Sequence, residues 1–296
     1  LTSGIKNTAV GYQALKLAAE SDYNTAIGYQ ALSEIVEADE GENTAVGYLA
    51  ATLATTARRS TAIGNQSLGG AILTGNDNTA IGYHAGYDMT AGYDNTLMGL
   101  SAGANLTTSA ENIAIGYEAL GSATTNVSRN VAIGNYALDS LTATQTVTNN
   151  VAIGYNAGTA VTTGDENTMV GSVAGENLQG GSFNTLIGYD AQSGAVGSSN
   201  QTAIGAQCVA VNTDDTVTLG NAAVTRIHMS QDRDAVMYAD GTINTSDRRW
   251  KKNIEDSDLG LSFINSVRPV KYNFKSDKQG SKSRYGIIAQ EVIEVL

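Results

Sequence analysis

Ser246 and Lys251 are the one pair in this sequence whose types and spacing read as chemistry. A serine hydroxyl is a weak nucleophile until a base takes its proton, and a lysine serves as that base only when neutral. Lys251 is crowded by Arg248, Arg249 and Lys252. Like charge disfavours its ammonium form, and burial would disfavour it further, so both effects push it toward the free amine. The bland alternative is a solvated basic turn, the usual fate of a charge run. We read the pair as a self-cleavage site.

The elements around the pair change character at the same place. Residues 1–245 carry 22 acids and 7 bases, a net −15, whereas residues 246–296 carry 7 acids and 10 bases, a net +3. A chain of 296 residues is longer than one globular core usually grows, so a domain boundary is expected at Ser246. The acidic body would repel phosphate, which argues against a nucleic-acid partner. One cysteine, Cys208, excludes an intrachain disulfide framework, and two distant histidines, His84 and His228, make a metal site unexpected. No apolar run is long enough to span a membrane, so no membrane insertion is expected. Nothing in the composition asks for a cofactor. Neither end looks like a natural terminus, and a longer parent protein is expected.

Ahead of the boundary the dominant signal is repetition. The unit Asn-Thr-Ala-Ile/Val-Gly-Tyr-x-Ala-Leu/Gly recurs twelve times from Asn7–Leu15 to Gln201–Val209, with motif glycines 17 to 20 residues apart from Gly11 to Gly205. That period is too short for a helical hairpin and suits one coil of a β-solenoid. Thr-Ala-Ile alternates with period two, and we expect Val10, Ile27 and their equivalents to form one interior column. Stacked asparagines should form a ladder, the glycine should permit a tight bend, and x-Ala-Leu/Gly should be a second short strand. Insertions collect in loops such as 33–42 and 139–149. A single coil buries little, so we expect lateral association, most simply a homotrimer.

The array resembles the head repeats of trimeric adhesins and similar repeats in phage tail fibres, on the Asn-x-Ala-Ile-Gly core over residues 4–220. The resemblance implies a trimeric parallel β-roll. Three other readings of the same columns compete with it. The threonines of the unit could mimic an ice-binding face, but the pattern fails at Ile113, Val131 and Val151. The tyrosines could be a glycan-stacking stripe or a structural stack. A polysaccharide-cleaving solenoid would need clustered carboxylates, and the acids here are scattered in loops.

The expected organisation is a mainly β protein in three parts: a solenoid over 1–206, a β-rich trimeric neck over 207–245, and a small α+β unit over 246–296. In the neck, Thr216–Leu219, Ala222–Met229 and Ala235–Ala239 read as strands, and Cys208 reads as a small apolar filler. In the last part a helix is expected over Leu259–Val267, capped by Asp256 or Ser257 and ended by Pro269. A hairpin of Val270–Phe274 with Arg284–Ala289 and a further helix from Glu291 should follow.

The blocks Ser246–Ile254, Leu261–Val267, Pro269–Phe274 and Tyr285–Val292 occur in the order of the intramolecular chaperone domain of phage endosialidases and tail fibres, the S74 peptidase family. The resemblance covers residues 240–296 and implies a domain that continues beyond Val292. It implies that the domain trimerises, drives folding of the preceding β-structure and cuts itself off. By its motif the nucleophile is Ser246, the base Lys251 and the scissile bond Thr245–Ser246, with Asn253 as a candidate orienting group. The implied protein is a virion tail fibre or tailspike that adheres to a host-surface receptor, a glycan being one candidate. The alternatives are a bacterial trimeric surface adhesin, located at the cell surface, and the distal part of a polysaccharide-degrading spike.

Overall fold

The structure is a computed structural model that describes residues 4–18, 20–36, 41–141, 146–225, 227, 261–272, 284–288 and 291. It divides into two compact units, Leu1–Ile227 and His228–Leu296. The first is a parallel β-solenoid, as the repeat period predicts. Thirteen short strands, from Thr8–Val10 to Thr216–Leu219, pair in sequence order into one parallel sheet. Pairing is in register, so Thr8 faces Thr25 and Val10 faces Ile27. Twelve strands belong to the twelve sequence repeats. The thirteenth pairs with Gln201–Ile204, so the ladder runs on past residue 206.

Each coil closes because several positions accept backbone conformations that most residues avoid. Gly154 has φ +142°, and a Cβ on it would lie 2.3 Å from the Gly171 carbonyl oxygen of the next coil. Only glycine fits that approach. Other corners take the left-handed region without glycine: Leu32, Leu68, Leu120 and Leu138 have φ of 48° to 52° and are fully buried or nearly so. A left-handed leucine costs on the order of 1 kcal/mol, which its burial, worth about 2 kcal/mol, offsets.

The asparagine ladder forms as the sequence implies. In mid-array, the Asn112 backbone N–H and its side-chain Nδ2 both donate to Asn95 Oδ1 at 3.1 Å, and Nδ2 also donates to the Val127 carbonyl at 2.7 Å. Asn130 repeats the pattern on Asn112, its N–H donating to Oδ1 at 3.0 Å. These side chains are buried, and each link joins one coil to the next. A second polar column runs the opposite way: the N–H of Ser182 donates to Ser199 Oγ, and that of Ser199 to Asp214 Oδ1, so here the later coil accepts.

Two expectations about the coil are corrected. The interior strand column is not the aliphatic one. Ala26, Ala45, Ala62, Ala80 and their equivalents are buried, whereas Ile27, Ile63, Ile153, Ile187 and Ile204 remain 37–40% exposed. Alternation places alanine and isoleucine on opposite faces but does not say which is inside. The inside is already occupied by corner leucines and by loop residues such as Ile35, Leu73 and Leu106, which leaves room on the strand for alanine. Where the corner is glycine, the strand compensates. A Cβ on Gly103 would meet Leu97 and Leu106 at 2.8 Å, and one on Gly175 would meet Met169 Sδ at 2.6 Å.

The second correction concerns x-Ala-Leu/Gly, which is a tight turn and not a strand. Its x and Leu positions are both left-handed, as at Gln30 and Leu32, and left-handed residues cannot continue a pleated strand. Outside the main ladder, Val127–Ser128 and Val147–Thr148 form a small parallel pair between coils.

In the second unit the described residues form a helix, Leu261–Ser266, and an antiparallel pair, Val270–Tyr272 with Arg284–Gly286. Both lie within the expected helix and hairpin. Arg268 is ion-paired with Glu291, Nε donating to Oε2 at 3.2 Å. The strand expected over Ala222–Met229 does not start as one: Ala222 and Ala223 form a turn after Gly220, with the Val224 N–H donating to the Asn221 carbonyl at 3.0 Å, because among the described residues the ladder ends at Thr216–Leu219 and offers no further partner. The strand expected over Ala235–Ala239 and the expected caps Asp256 and Ser257 lie outside the described residues.

Candidate functional site

The residues expected to carry the cleavage chemistry, Thr245, Ser246, Lys251 and Asn253, lie outside the described residues. What is described of their unit lies later in the chain. Val270–Tyr272 pairs Lys271 opposite Tyr285, and Lys271 Nζ sits 5.9 Å from the Tyr285 ring centroid. Glu291 holds the Arg268 guanidinium above its ordinary pKa, through the hydrogen bond first and the charge second.

The solenoid surface divides into stripes of different chemistry, because every coil repeats the same positions at the same height. Directly before each ladder asparagine lies a left-handed corner that is mostly charged. There Arg59 Nε donates to Asp77 Oδ1 at 2.6 Å, and this hydrogen bond holds the Asp77 carboxyl below its ordinary value of 3.8. Directly after the motif glycine lies a column of half-exposed tyrosines. Tyr12, Tyr29 and Tyr48 stack with ring centroids 5.2 and 5.4 Å apart. Further along, His84 is sandwiched between Tyr83 and Tyr87 at 3.9 and 4.3 Å, and its Nε2 is 2.9 Å from Gln66 Oε1. Burial holds the His84 pKa down, with Asp88 opposing. Tyr117 is pushed up to about 12 by its hydrogen bond with Glu118, with Tyr136 adding to the effect. The tyrosine column is therefore a physical stack in its first three coils, while later in it Tyr117 and Tyr155 each meet Tyr136, one residue beyond the column, edge-on.

Beside the tyrosines runs the outward aliphatic column, which hydropathy alone assigns to the interior. A signal for its true place does exist in the sequence. Its position holds Val, Ile, Met or Leu in every coil, whereas the neighbouring strand position accepts Ala, Leu, Met and Thr as the corner residue changes. Cys208 is buried and free, with Sγ 3.5 Å from the Thr218 carbonyl, and fills space as expected. An open cleft at the last coil, walled by Val209, Thr218 and Asn221 among others, has no titratable group in its lining. Among the described residues, no group of three or more His, Cys, Asp or Glu could hold a metal ion, and no helix is long and apolar enough to cross a membrane.

Residues 246–296 match the family model Peptidase_S74, described as the chaperone of endosialidase. The match begins at Ser246 itself. A parallel solenoid followed by this segment fits a tail fibre with an S74-type chaperone domain. The family implies a self-cleaving peptidase activity for the C-terminal segment and a fibre-associated chaperone role. No curated protein and no solved structure matches the chain.

Proposed function

We propose that the chain is the distal part of a phage tail fibre, a homotrimeric solenoid that adheres to a host-surface receptor and is folded by its own C-terminal chaperone. The observation that carries this reading is the position of the family match, which starts at Ser246, directly where the net charge changes sign. The organisation proposed is a solenoid, a neck reaching to residue 245 and the chaperone from residue 246. The solenoid's charged corners and exposed loops would meet the receptor, a glycan being one candidate.

The cut is assigned to Thr245–Ser246. Lys251, neutral in the assembled domain, takes the Ser246 hydroxyl proton as Oγ attacks the Thr245 carbonyl carbon. The C–N bond breaks, the Ser246 amine receives the proton, and an ester links Thr245 to Ser246 Oγ. Water then hydrolyses the ester, leaving the Thr245 carboxylate and the free serine. The reaction occurs once per chain and needs no cofactor. In the full-length protein, Ser246→Ala and Lys251→Ala should each leave one uncut chain on a denaturing gel, while Lys252→Ala should still give two fragments. Cleavage at the same bond in Ser246→Ala would refute the dyad.

A further inference from the structure

The residue after the motif glycine is tyrosine in seven coils, but in consecutive coils only as Tyr12, Tyr29 and Tyr48. The backbone there stacks coil on coil. The Gln30 N–H donates to the Tyr12 carbonyl at 2.8 Å, and the Leu49 N–H to the Tyr29 carbonyl at 2.9 Å. Beside the first pair, Gln30 Nε2 donates to Gln13 Oε1 at 2.7 Å and ties the two coils a second time. Coils stacked this way lie about 4.8 Å apart, which brings each ring onto the next. The centroids are 5.2 and 5.4 Å apart, with the planes 19° and 17° from parallel, an offset stack of the kind aromatic pairs prefer. The same rings face water: Tyr12 is 62% exposed, Tyr29 43% and Tyr48 49%.

Stacking and exposure together suit one reaction. A one-electron oxidant can reach these phenols, and each ring already touches the ring it would couple to. Oxidation takes one electron from each of two neighbouring phenols, and each hydroxyl proton goes to water. The unpaired electrons of the two phenoxyl radicals spread onto the ring carbons ortho to oxygen. A C–C bond forms between one ortho carbon of each ring, and the hydrogen on each of those carbons moves to its own ring's oxygen. The balance is two electrons to the oxidant and two protons to water, with both hydroxyls restored. Free tyrosyl radicals must meet by diffusion before they decay. Here the ladder holds the partners within reach, and coupling becomes an intramolecular step.

We infer that Tyr12, Tyr29 and Tyr48 form an oxidative modification site, at which a one-electron oxidant links adjacent coils through dityrosine bonds. The strand Thr8–Val10 lies at the end of the sheet and has one neighbour among the described residues. A coil held from one side opens most readily. A Tyr12–Tyr29 bond ties that coil to the second, and like any cross-link it takes chain entropy from the opened state. Tyr189 is the contrast within the same column. It is 57% exposed, but the equivalent residues of its neighbouring coils are Ser172 and Ala206, so its radical has no partner ring there.

The test oxidises the full-length protein with photo-excited ruthenium tris-bipyridyl and persulfate, a small one-electron oxidant. Digestion after Lys, Arg and Glu leaves Tyr12, Tyr29 and Tyr48 on three different peptides. Mass spectrometry should find the Tyr12 peptide joined to the Tyr29 peptide, and the Tyr29 peptide to the Tyr48 peptide. Each joined pair should be lighter than its parts by two hydrogens, with the bond at Tyr29 and not at Tyr23 of the same peptide. The linked protein should still run as single chains on a denaturing gel, and Tyr189 should be unlinked. In Tyr29→Phe neither Tyr12 nor Tyr48 should be linked, since they lie two coils apart, and oxidation in urea should give neither link. No linked peptide from the folded protein, equal yields in urea, a Tyr12–Tyr48 link in Tyr29→Phe, or links found only in species of two or more chains would overturn the site.

Discussion

The repeat ladder and the C-terminal unit differ in how much one residue decides. In the ladder each structural role is filled up to thirteen times: a glycine against a glycine, an asparagine on an asparagine, an aliphatic beside an aliphatic. In the C-terminal unit the roles proposed for Ser246 and Lys251 have no second copy. Repetition gives a fold whose local geometry is over-determined, because every coil is a template for the next. The same repetition leaves the alignment of whole chains undetermined. A single-copy unit lacks that redundancy, and so it can supply what repetition cannot, one fixed starting point and one cut.

The largest effect expected from breaking this division is on folding. A gene ending at Thr245 should yield insoluble repeats, while removal of residues 246–296 after folding should leave the solenoid soluble and its mass per assembly unchanged. Soluble, correctly assembled protein from the shortened gene would show that the repeats set their own alignment. Next comes the glycine column. Gly154→Ala combines a φ of +142° with a carbonyl 2.3 Å from the new Cβ, and should cost about 3 kcal/mol or more. Denaturant unfolding of an uncleaved or pre-cleaved solenoid measures it, and a loss no larger than that of a loop substitution would refute the close approach.

The ladder asparagines come third. Asn112→Ala removes the Oδ1 acceptor for the Asn130 N–H and Nδ2, and the Nδ2 donor to Asn95 Oδ1 and the Val127 carbonyl, while the backbone N–H keeps its bond to Asn95 Oδ1. Leaving buried partners unsatisfied should cost about 2 kcal/mol. The smallest effect is a gain. Ser60 interrupts the ladder, and its Oγ accepts from the Asn78 N–H at 3.3 Å, longer than the 3.0 to 3.1 Å of the mid-array links. Ser60→Asn would give Asn78 both of its ladder bonds and should stabilise the solenoid by about 1 kcal/mol in the same unfolding assay. A loss instead would mean that the coil there has no room for the longer side chain.

Those substitutions also mark where the sequence was readable. The period of the glycines, the asparagine ladder and the parallel stacking all follow from spacing, because identical residues at equal heights must meet their own copies. Which face of the strand is interior did not follow. Hydropathy favours Ile27 over Ala26 for the inside, but the volume within a coil is shared with corner leucines and loop aliphatics that a local reading does not add up. The turn at Gln30–Leu32 reads as a strand because a leucine at positive φ is unusual in general and routine here. In the C-terminal unit the helix and hairpin were legible from local pattern. The proposed cleavage pair rests only on a motif in a block order, since nothing about an isolated serine and lysine distinguishes a dyad from a basic turn.

The central claim is that Ser246 is the junction between a kept solenoid and a discarded chaperone. The most direct measurement is the mass and N-terminal residue of the smaller fragment released as the full-length protein assembles. A junction at Ser246 predicts a larger fragment ending at Thr245 and a smaller one beginning at Ser246, both appearing only as the assembled species forms. A smaller fragment that begins at any other residue, or a soluble full-length chain that assembles and is never cut, would contradict it.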